Sequence, residues 1–257
     1  MFRSRRQFLK TSAVVTAGIT FIPFNAFGDD HMNHVFETEN GKITVHPIDH
    51  ASIVLETPSG TIYVDPVGDP AQYAMHPTPD LILVTHEHGD HFNAETLGAI
   101  AGEHTQLVTN PAVFDALSPT LKENASSLAN GESTSFADVL IDAIPAYNTT
   151  PERKNFHPQG RDNGYVLTID GIRIYISGDT EDIPEMRALE NIDIAFLCMN
   201  LPFTMDINAA ASAVAEFKPT YVYPYHYRGR ENGTQDPAEF AKLVGDAVSV
   251  KMGNWYS

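Results

Sequence analysis

The sequence contains only one cysteine, Cys198, among its 257 residues. A single thiol cannot form a disulfide within the chain, and it cannot build a zinc site made of thiolates. Any metal site must therefore consist of histidine and carboxylate side chains. The cysteine lies in an apolar stretch, so we interpret it as a small core residue.

Basic residues are also scarce, with 16 lysines and arginines against 33 acidic residues and a net charge of −17. A protein this acidic repels phosphate backbones, which argues against a nucleic-acid partner. The sequence has no Gly-x-Ser-x-Gly motif of serine hydrolases. It also has no Gly-x-Gly-x-x-Gly or Walker loop for nucleotides. Serine-triad chemistry and nucleotide binding by these loops are therefore not supported.

The N-terminus has an apolar run, residues 13–27, that is too short and too polar for a transmembrane span. A basic stretch precedes it and the small-x-small sequence Ala26–Gly28 ends it, which is the order of a secretory signal. The pair Arg5-Arg6, followed by Phe-Leu-Lys, resembles a bacterial twin-arginine signal. We therefore expect the twin-arginine export machinery as a partner and a periplasmic location, or a membrane-anchored protein if the signal is not cleaved.

The remaining chain shows no repeat, linker or low-complexity segment, so we expect one domain. The predicted organisation is a signal peptide at 1–28, a mature N-terminal segment at 29–41 and a hydrolase domain at 42–257. Short β-branched runs start at residue 42, and helices are predicted for 93–102, 111–117, 184–189, 207–217 and 237–244. Two β-rich halves, each covered by helices, predict a four-layer αββα sandwich of two mixed sheets.

The stretch "THEHGDH", Thr85 to His91, directly follows the continuous apolar run "LILV". If the extended conformation continues through His88, then His86 and His88 point to the same side and can reach one cation. Asp90 and His91 would follow on a turn and serve a second cation. Histidine nitrogen and aspartate oxygen are the ligands that zinc-class ions prefer.

This segment resembles the signature of hydrolases with the metallo-β-lactamase fold. Downstream, "IYISGDT" and "YVYPYHY" resemble two later motifs of that family, and the resemblance implies that Asp179 bridges two metals while His226 binds the second. The stretches "HASIVLETPSGTIYVDP" and "NIDIAFLCMNLPFTM" resemble one branch of the family. That branch contains ascorbate-phosphate lactonase-like proteins and phospholipases acting on N-acylphosphatidylethanolamine. The resemblance covers about residues 42 to 228.

One expected histidine is missing. The family supplies a third imidazole to the first metal from a segment reading Pro-Ala-x-His, and here that position is Asn148. The next histidine is His157, and an imidazole binds zinc better than a carboxamide does. We therefore expect His157 as the ligand. The alternatives are that Asn148 contributes, or that the first metal has only two histidines plus Asp179.

The resemblance implies an exported binuclear hydrolase that acts on a small molecule. A hydroxide bridging two divalent ions would cleave an ester, lactone or phosphodiester bond, with zinc favoured and manganese or iron(II) as alternatives. Asp90 would also be catalytic, because it would orient the water or relay its proton, while Asp65 and Thr180 would support the ligands from behind. The expected metal ligands are His86, His88, Asp90, His91, His157, Asp179 and His226.

The other histidines receive plainer interpretations. We interpret His31, His34, His76 and His104 as solvated and His46 as structurally satisfied in a strand, while His50 could line the pocket. Two other functions remain open from the sequence. One is a metal-binding protein without enzymatic activity, which the asparagine at position 148 motivates, and the other is a non-haem iron oxidoreductase on the same fold. The oligomeric state is not indicated.

Overall fold

The computed structural model describes residues 34–256, and its first half is one seven-stranded sheet. The strands lie side by side in chain order: β1 (Val35–Glu37), β2 (Lys42–Asp49), β3 (Ser52–Thr57), β4 (Gly60–Val64), β5 (Leu81–Val84), β6 (Gln106–Thr109) and β7 (Ala125–Ser127). The helices of this half are α1 (Ala94–Ile100), α2 (Pro111–Ala116) and α3 (Pro119–Lys122).

The second half repeats this plan. Its sheet contains β8 (Ser133–Phe136), β9 (Val139–Ala146), β10 (Asp162–Ile169), β11 (Ile172–Ile176), β12 (Ile194–Cys198), β13 (Tyr221–Tyr225) and β14 (Ser249–Val250), again in chain order. The helices of this half are α4 (Pro184–Arg187), α5 (Ile207–Phe217) and α6 (Pro237–Val244).

Both sheets are mixed in the same way. In the first sheet, β1 to β4 pair antiparallel and β4 to β7 pair parallel. In the second sheet, β8 to β11 pair antiparallel and β11 to β14 pair parallel. Two mixed sheets with helices on their outer faces confirm the predicted four-layer αββα sandwich.

The side-chain alternation of the strands builds two cores. Ile43 and Val45 of β2 and Ile53 of β3 belong to the large core that lies between the sheets. Val54, the next residue of β3, belongs to a second core with Leu97 of α1 and with residues of α2 and α3. Because successive side chains of a strand point to opposite faces, one sheet can fill both cores.

The helix predictions for 207–217 and 237–244 agree with α5 and α6. Helix α1 starts at Ala94, because the Asn93 side chain accepts hydrogen bonds from the backbone N–H groups of Glu95 and Thr96 as an N-cap. Strand β1 was not predicted, since three residues carry too little pattern, and it lies inside the segment 29–41 that we placed ahead of the domain. Cys198 is fully buried, as expected.

The predicted signal peptide at 1–28 lies outside the described residues. Between residues 34 and 256, the structure has no helix that is both long enough and apolar enough to cross a membrane.

Candidate metal centre

The predicted ligands follow the carboxyl ends of parallel strands. His86 comes two residues after β5, Asp179 three residues after β11, and His226 directly after β13. Parallel neighbours present their carboxyl ends at the same edge of a sheet, which is where ligands bind in open α/β sheets. The two sheets face each other, so their edges form one cleft that brings these side chains together.

The condition set for His86 and His88 is not met, although the outcome is. Strand β5 ends at Val84, and the chain bends at Glu87 and His88 before the N–H groups of His91 and Phe92 both donate to the His88 carbonyl. The imidazoles of His86 and His88 nevertheless lie together. Nε2 of His86 lies 3.1 Å from Nδ1 of His88.

The first group of donor atoms comes from His86, His88 and His157. One nitrogen of each imidazole lies within 4.8 Å of the others. The Nε2 atom of His157 is also 3.4 Å from Oδ2 of Asp179. Three imidazole nitrogens and one carboxylate oxygen therefore converge, which is a donor set that a tetrahedral zinc-class ion accepts.

The second group surrounds the other oxygen of the same carboxylate. Oδ1 of Asp179 is 3.4 Å from Nε2 of His91 and 3.4 Å from Nε2 of His226. Asp90 completes the group, since its Oδ2 lies 3.5 Å from Nε2 of His226. Asp179 thus presents one oxygen to each group, and the seven predicted side chains lie together.

Three buried atoms of the second group have no hydrogen-bond partner: Nε2 of His91, Oδ1 of Asp179 and Nε2 of His226. Buried polar atoms without partners are rare and require an explanation. Their spacing and chemistry fit a divalent cation, which would bind all three. The residues present therefore fit two cations that share Asp179.

The structure separates the two candidates for the third imidazole position. The Asn148 side chain ties two loop segments together, because its Nδ2 donates to the backbone carbonyls of Arg153 and Phe203 at 3.0 and 2.6 Å, while its Oδ1 has no hydrogen-bond partner. Its backbone N–H donates to the carbonyl of His157 at 2.8 Å. Asn148 therefore anchors the loop that delivers His157, which supports His157 over Asn148 as the ligand.

Carboxylates hold two of the imidazoles from behind. Oδ2 of Asp65 is 2.7 Å from Nδ1 of His91, and Oδ2 of Asp162 is 2.9 Å from Nδ1 of His157. Such contacts fix the tautomer that leaves Nε2 free for a cation. The expected contact from Asp65 is confirmed. Thr180 does not act on a ligand in this way, since its hydroxyl donates to the backbone carbonyls of Tyr147 and Glu181.

His226 has a neutral partner. Its Nδ1 lies 3.0 Å from Nδ2 of Asn200. For Nε2 to bind a cation, Nδ1 must carry the proton and face an acceptor. If the Asn200 carboxamide is rotated by half a turn, its oxygen faces Nδ1 of His226. The amide nitrogen then faces Thr204 Oγ1 and can donate to it. The Thr204 hydroxyl in turn donates to the backbone carbonyl of Asn200 at 3.1 Å.

Unusual backbone conformations surround the centre. His50, Asp65 and His226 all have φ between 44° and 49°, which costs a residue other than glycine about 1–3 kcal/mol. Gly178 also has a positive φ of 58°, and a Cβ there would lie 2.7 Å from the Asn163 carbonyl oxygen. The fold therefore accepts backbone strain to aim these side chains into the cleft.

Burial keeps several imidazoles neutral. Desolvation lowers the pKa of His86 well below its ordinary value, and it also lowers the pKa of His88 and of His226. Neutral imidazoles have a free lone pair, so these three side chains are ready to bind a cation at neutral pH.

Charge outweighs burial at two other residues. Desolvation opposes the charged forms of both His157 and Asp179. Hydrogen bonds to Asp162 and Asp179 nevertheless raise the pKa of His157 to about 9, and the nearby imidazoles of His226 and His91 hold the pKa of Asp179 well below its ordinary value. A cation that binds His157 must therefore displace a proton.

We predict that Asp65→Asn weakens metal binding while the fold is retained. Asp65 is fully buried and accepts hydrogen bonds from both the backbone N–H and the hydroxyl of Thr85, so an amide leaves part of this network unsatisfied. Loss of a partner behind a ligand histidine costs about 10–100-fold in metal affinity or activity. Zinc titration against a competing chelator measures this change, and an unchanged affinity would contradict the role of Asp65.

A cavity of about 340 Å³ opens over the centre. Phe156 and Phe203 pack edge to face with ring centres 5.1 Å apart and form an apolar wall, and the Arg230 guanidinium lies 5.0 Å over the Phe203 ring. Three further arginines near the cavity have other partners. Arg153 forms an ion pair with Glu181, Arg161 forms one with Glu87, and Arg228 stacks over the ring of Tyr256.

Sequence reasoning missed several of these residues. His50 was expected only to line the pocket, yet its Nε2 is 3.4 Å from Oδ2 of Asp90 and its ring centre is 3.9 Å from that of His226. Asp162 and Asn200 were not singled out. Asn200 comes just after β12, so its position after a strand end was the available signal, whereas Asp162 begins β10 and carried no such signal.

Comparison with known proteins agrees with this geometry. Residues 44–226 match the model of the beta-lactamase superfamily domain, and residues 4–21 match that of the twin-arginine translocation pathway signal sequence. The UPF0173 metal-dependent hydrolase of Pyrococcus horikoshii is 34% identical over 176 residues, which are 66% of this chain and 76% of that protein. The UPF0173 metal-dependent hydrolase of Pelotomaculum thermopropionicum is 35% identical over 181 residues, covering 67% of this chain and 78% of its own.

A solved structure gives the same result. The crystal structure of a protein from Parabacteroides distasonis assigned to the metal-dependent hydrolases superposes with a TM-score of 0.77 at 39% identity, and the match covers 86% of this chain and 98% of that one. These relatives are named as hydrolases, which favours hydrolysis over the two other functions that the sequence left open. The chain therefore belongs to the β-lactamase superfamily and is a metal-dependent hydrolase of the metallo-β-lactamase fold.

Proposed function

We propose that this protein uses two divalent cations to cleave an ester, lactone or phosphodiester bond of a small molecule. The observation that carries the proposal is the Asp179 carboxylate, whose two oxygens face two separate groups of histidines at 3.4 Å. His86, His88 and His157 would hold one cation, and Asp90, His91 and His226 the other. Bound cations supply Lewis acidity and lower the pKa of water from about 16 to about 7.

Asp90 is well placed to handle the proton that hydrolysis releases. Its side chain is 48% exposed, whereas Asp179 is buried, so Asp90 stands where the centre meets solvent. Oδ2 of Asp90 lies 3.4 Å from Nε2 of His50, and the other nitrogen of that ring is 2.9 Å from the Tyr256 hydroxyl. We propose that Asp90 orients the water or relays its proton, and that His50 passes the proton toward the surface.

The cavity walls favour a substrate with an apolar part and an anionic group. Phe156 and Phe203 supply the apolar surface. Arg230 supplies a cation at the rim, and within residues 34–256 no carboxylate forms an ion pair with it. A guanidinium with free donors binds carboxylate or phosphate strongly.

Arg230→Ala should therefore discriminate between substrates. We expect kcat/KM for an anionic ester or phosphodiester to fall by about 10–100-fold, as expected for the loss of one charge-assisted contact worth about 1.5–3 kcal/mol. A neutral ester of the same size should be affected much less. Arg228→Ala is the matched control, because that side chain stacks on Tyr256 instead. Equal losses on neutral and anionic substrates would contradict the assignment.

A hydrolysis panel tests the function as a whole. The full chain, loaded with zinc or manganese, is assayed on lactones, phosphodiesters, esters, thioesters and β-lactams, and its metal content is measured by elemental analysis. We expect at least two equivalents of metal and turnover of a lactone, ester or phosphodiester that a chelator abolishes. Fewer than one metal per chain with no turnover after loading would end the proposal, and turnover of β-lactams alone would change the substrate class.

We also propose that residues 1–28 direct export to the periplasm through the twin-arginine machinery, supported by the match over residues 4–21. Replacing both Arg5 and Arg6 by lysine should retain the precursor in the cytoplasm, and fractionation with an antibody against the mature domain measures this. Export of the double variant at the wild-type level would contradict the route. Wild-type protein in the membrane fraction would instead indicate an anchor.

A further inference from the structure

A second set of metal-binding side chains lies on the outer face of the first sheet. His46 belongs to β2 and Glu56 to β3, and both point away from the core between the sheets, since Val45 and Leu55 beside them belong to that core. His76 comes from the connection between β4 and β5, just after a 3₁₀ turn at Pro70–Tyr73. Three segments of the chain thus meet at one point.

The distances match a ligand set. Nε2 of His46 lies 3.0 Å from Oε1 of Glu56, and Nδ1 of His76 lies 3.9 Å from the same oxygen. The two imidazole ring centres are 4.7 Å apart, and one donor atom from each residue lies within 4.8 Å of the others. Two histidines and a glutamate form a known zinc ligand set in proteins.

The contact between His46 and Glu56 is not an aligned hydrogen bond. Nε2 of His46 is buried and makes no hydrogen bond, although Oε1 of Glu56 lies 3.0 Å away. His76 is only 16% exposed at its side chain, which makes the interpretation of His76 as a solvated histidine wrong. A nitrogen lone pair and a carboxylate can approach without such alignment when both are directed at a shared cation.

The cluster also has access to solvent. His46 and His76 line a cavity of about 600 Å³, together with Pro47 and Asn254. Water from this cavity can supply the fourth ligand of a tetrahedral ion, which is the open arrangement of a three-ligand zinc site. No residue of this cluster belongs to the two groups around Asp179.

We propose that His46, Glu56 and His76 bind one zinc-class cation, separate from the two cations of the Asp179 centre. The ion would link the connection between β4 and β5 to strands β2 and β3. An ion that binds the folded chain and not the unfolded chain stabilises the fold, so this site would raise the melting temperature in the presence of zinc.

The test compares zinc content among variants of the full chain. Wild type, His76→Ala, Glu56→Gln and the control His104→Ala, which changes an exposed histidine, are dialysed against the same buffered zinc solution and analysed for metal. We expect His76→Ala and Glu56→Gln to bind one equivalent less than wild type and His104→Ala to match it, with hydrolytic activity unchanged in all four. The difference between variants does not depend on how many ions the Asp179 centre holds.

Melting curves provide a second measurement. Zinc added beyond saturation of the Asp179 centre should raise the Tm of wild type and of His104→Ala but not that of His76→Ala or Glu56→Gln. Glu56→Gln keeps the size of the side chain, so it decides the question if His76→Ala fails to fold. Wild-type zinc content in both cluster variants would overturn the proposal.

Discussion

Asp179→Asn is expected to lower kcat by at least about 10³-fold, because the bound cations contribute several kcal/mol and about 4 kcal/mol corresponds to that factor. Among residues 34–256, only the Asp179 carboxylate faces both groups of histidines, with one oxygen toward each. An amide has one oxygen and no negative charge, so it cannot serve two cations equally. Steady-state kinetics together with metal analysis of the same preparation measure the loss.

The matched control is Asp138→Asn, which makes the same chemical change on an exposed residue in the turn between β8 and β9. It should leave both kcat and metal content at wild-type values. If Asp179→Asn keeps the wild-type metal content and more than about a tenth of wild-type activity, a shared carboxylate is not required and the binuclear account fails.

His157→Ala should remove one cation while leaving the other bound. His157 supplies the third imidazole of the first group and lies 3.4 Å from Asp179, so its loss leaves two histidines for that ion. We expect metal affinity at this position to fall by more than the 10–100-fold that is typical for a residue behind a ligand, and kcat to fall with it. Metal content after dialysis against dilute zinc, combined with kinetics at saturating zinc, measures both effects.

Asn148→Ala is the informative partner of that variant. Its side chain donates to the carbonyls of Arg153 and Phe203, so its removal should lower the melting temperature because these half-buried carbonyls lose their donor. Metal content should stay at the wild-type value. The opposite pattern, with zinc lost in Asn148→Ala and kept in His157→Ala, would assign the carboxamide as the ligand.

Local sequence patterns predicted much of the fold and the centre. The seven residues from Thr85 to His91 carry four of the predicted ligands, and the apolar run before them placed the motif at a strand end. Helix α5 has the bounds that were predicted, and in the structure it begins after Asp206, whose side chain is its N-cap. These signals are local, which is why a single sequence contains them.

What the sequence did not predict depends on contacts between distant segments. Asn200 matters because β12 and β13 are neighbours, which brings it to His226 twenty-six residues later. His76 looked solvated because only the folded chain places it beside His46 of β2. Neither the residue types nor their spacing in the sequence indicates that these side chains come into contact.

Anomalous diffraction from crystals of the zinc-loaded protein tests the central claim most directly. The account predicts two peaks on opposite sides of the Asp179 carboxylate, one among His86, His88 and His157 and the other among Asp90, His91 and His226. A single peak near Asp179, or peaks that leave either group of histidines without a metal, would contradict it.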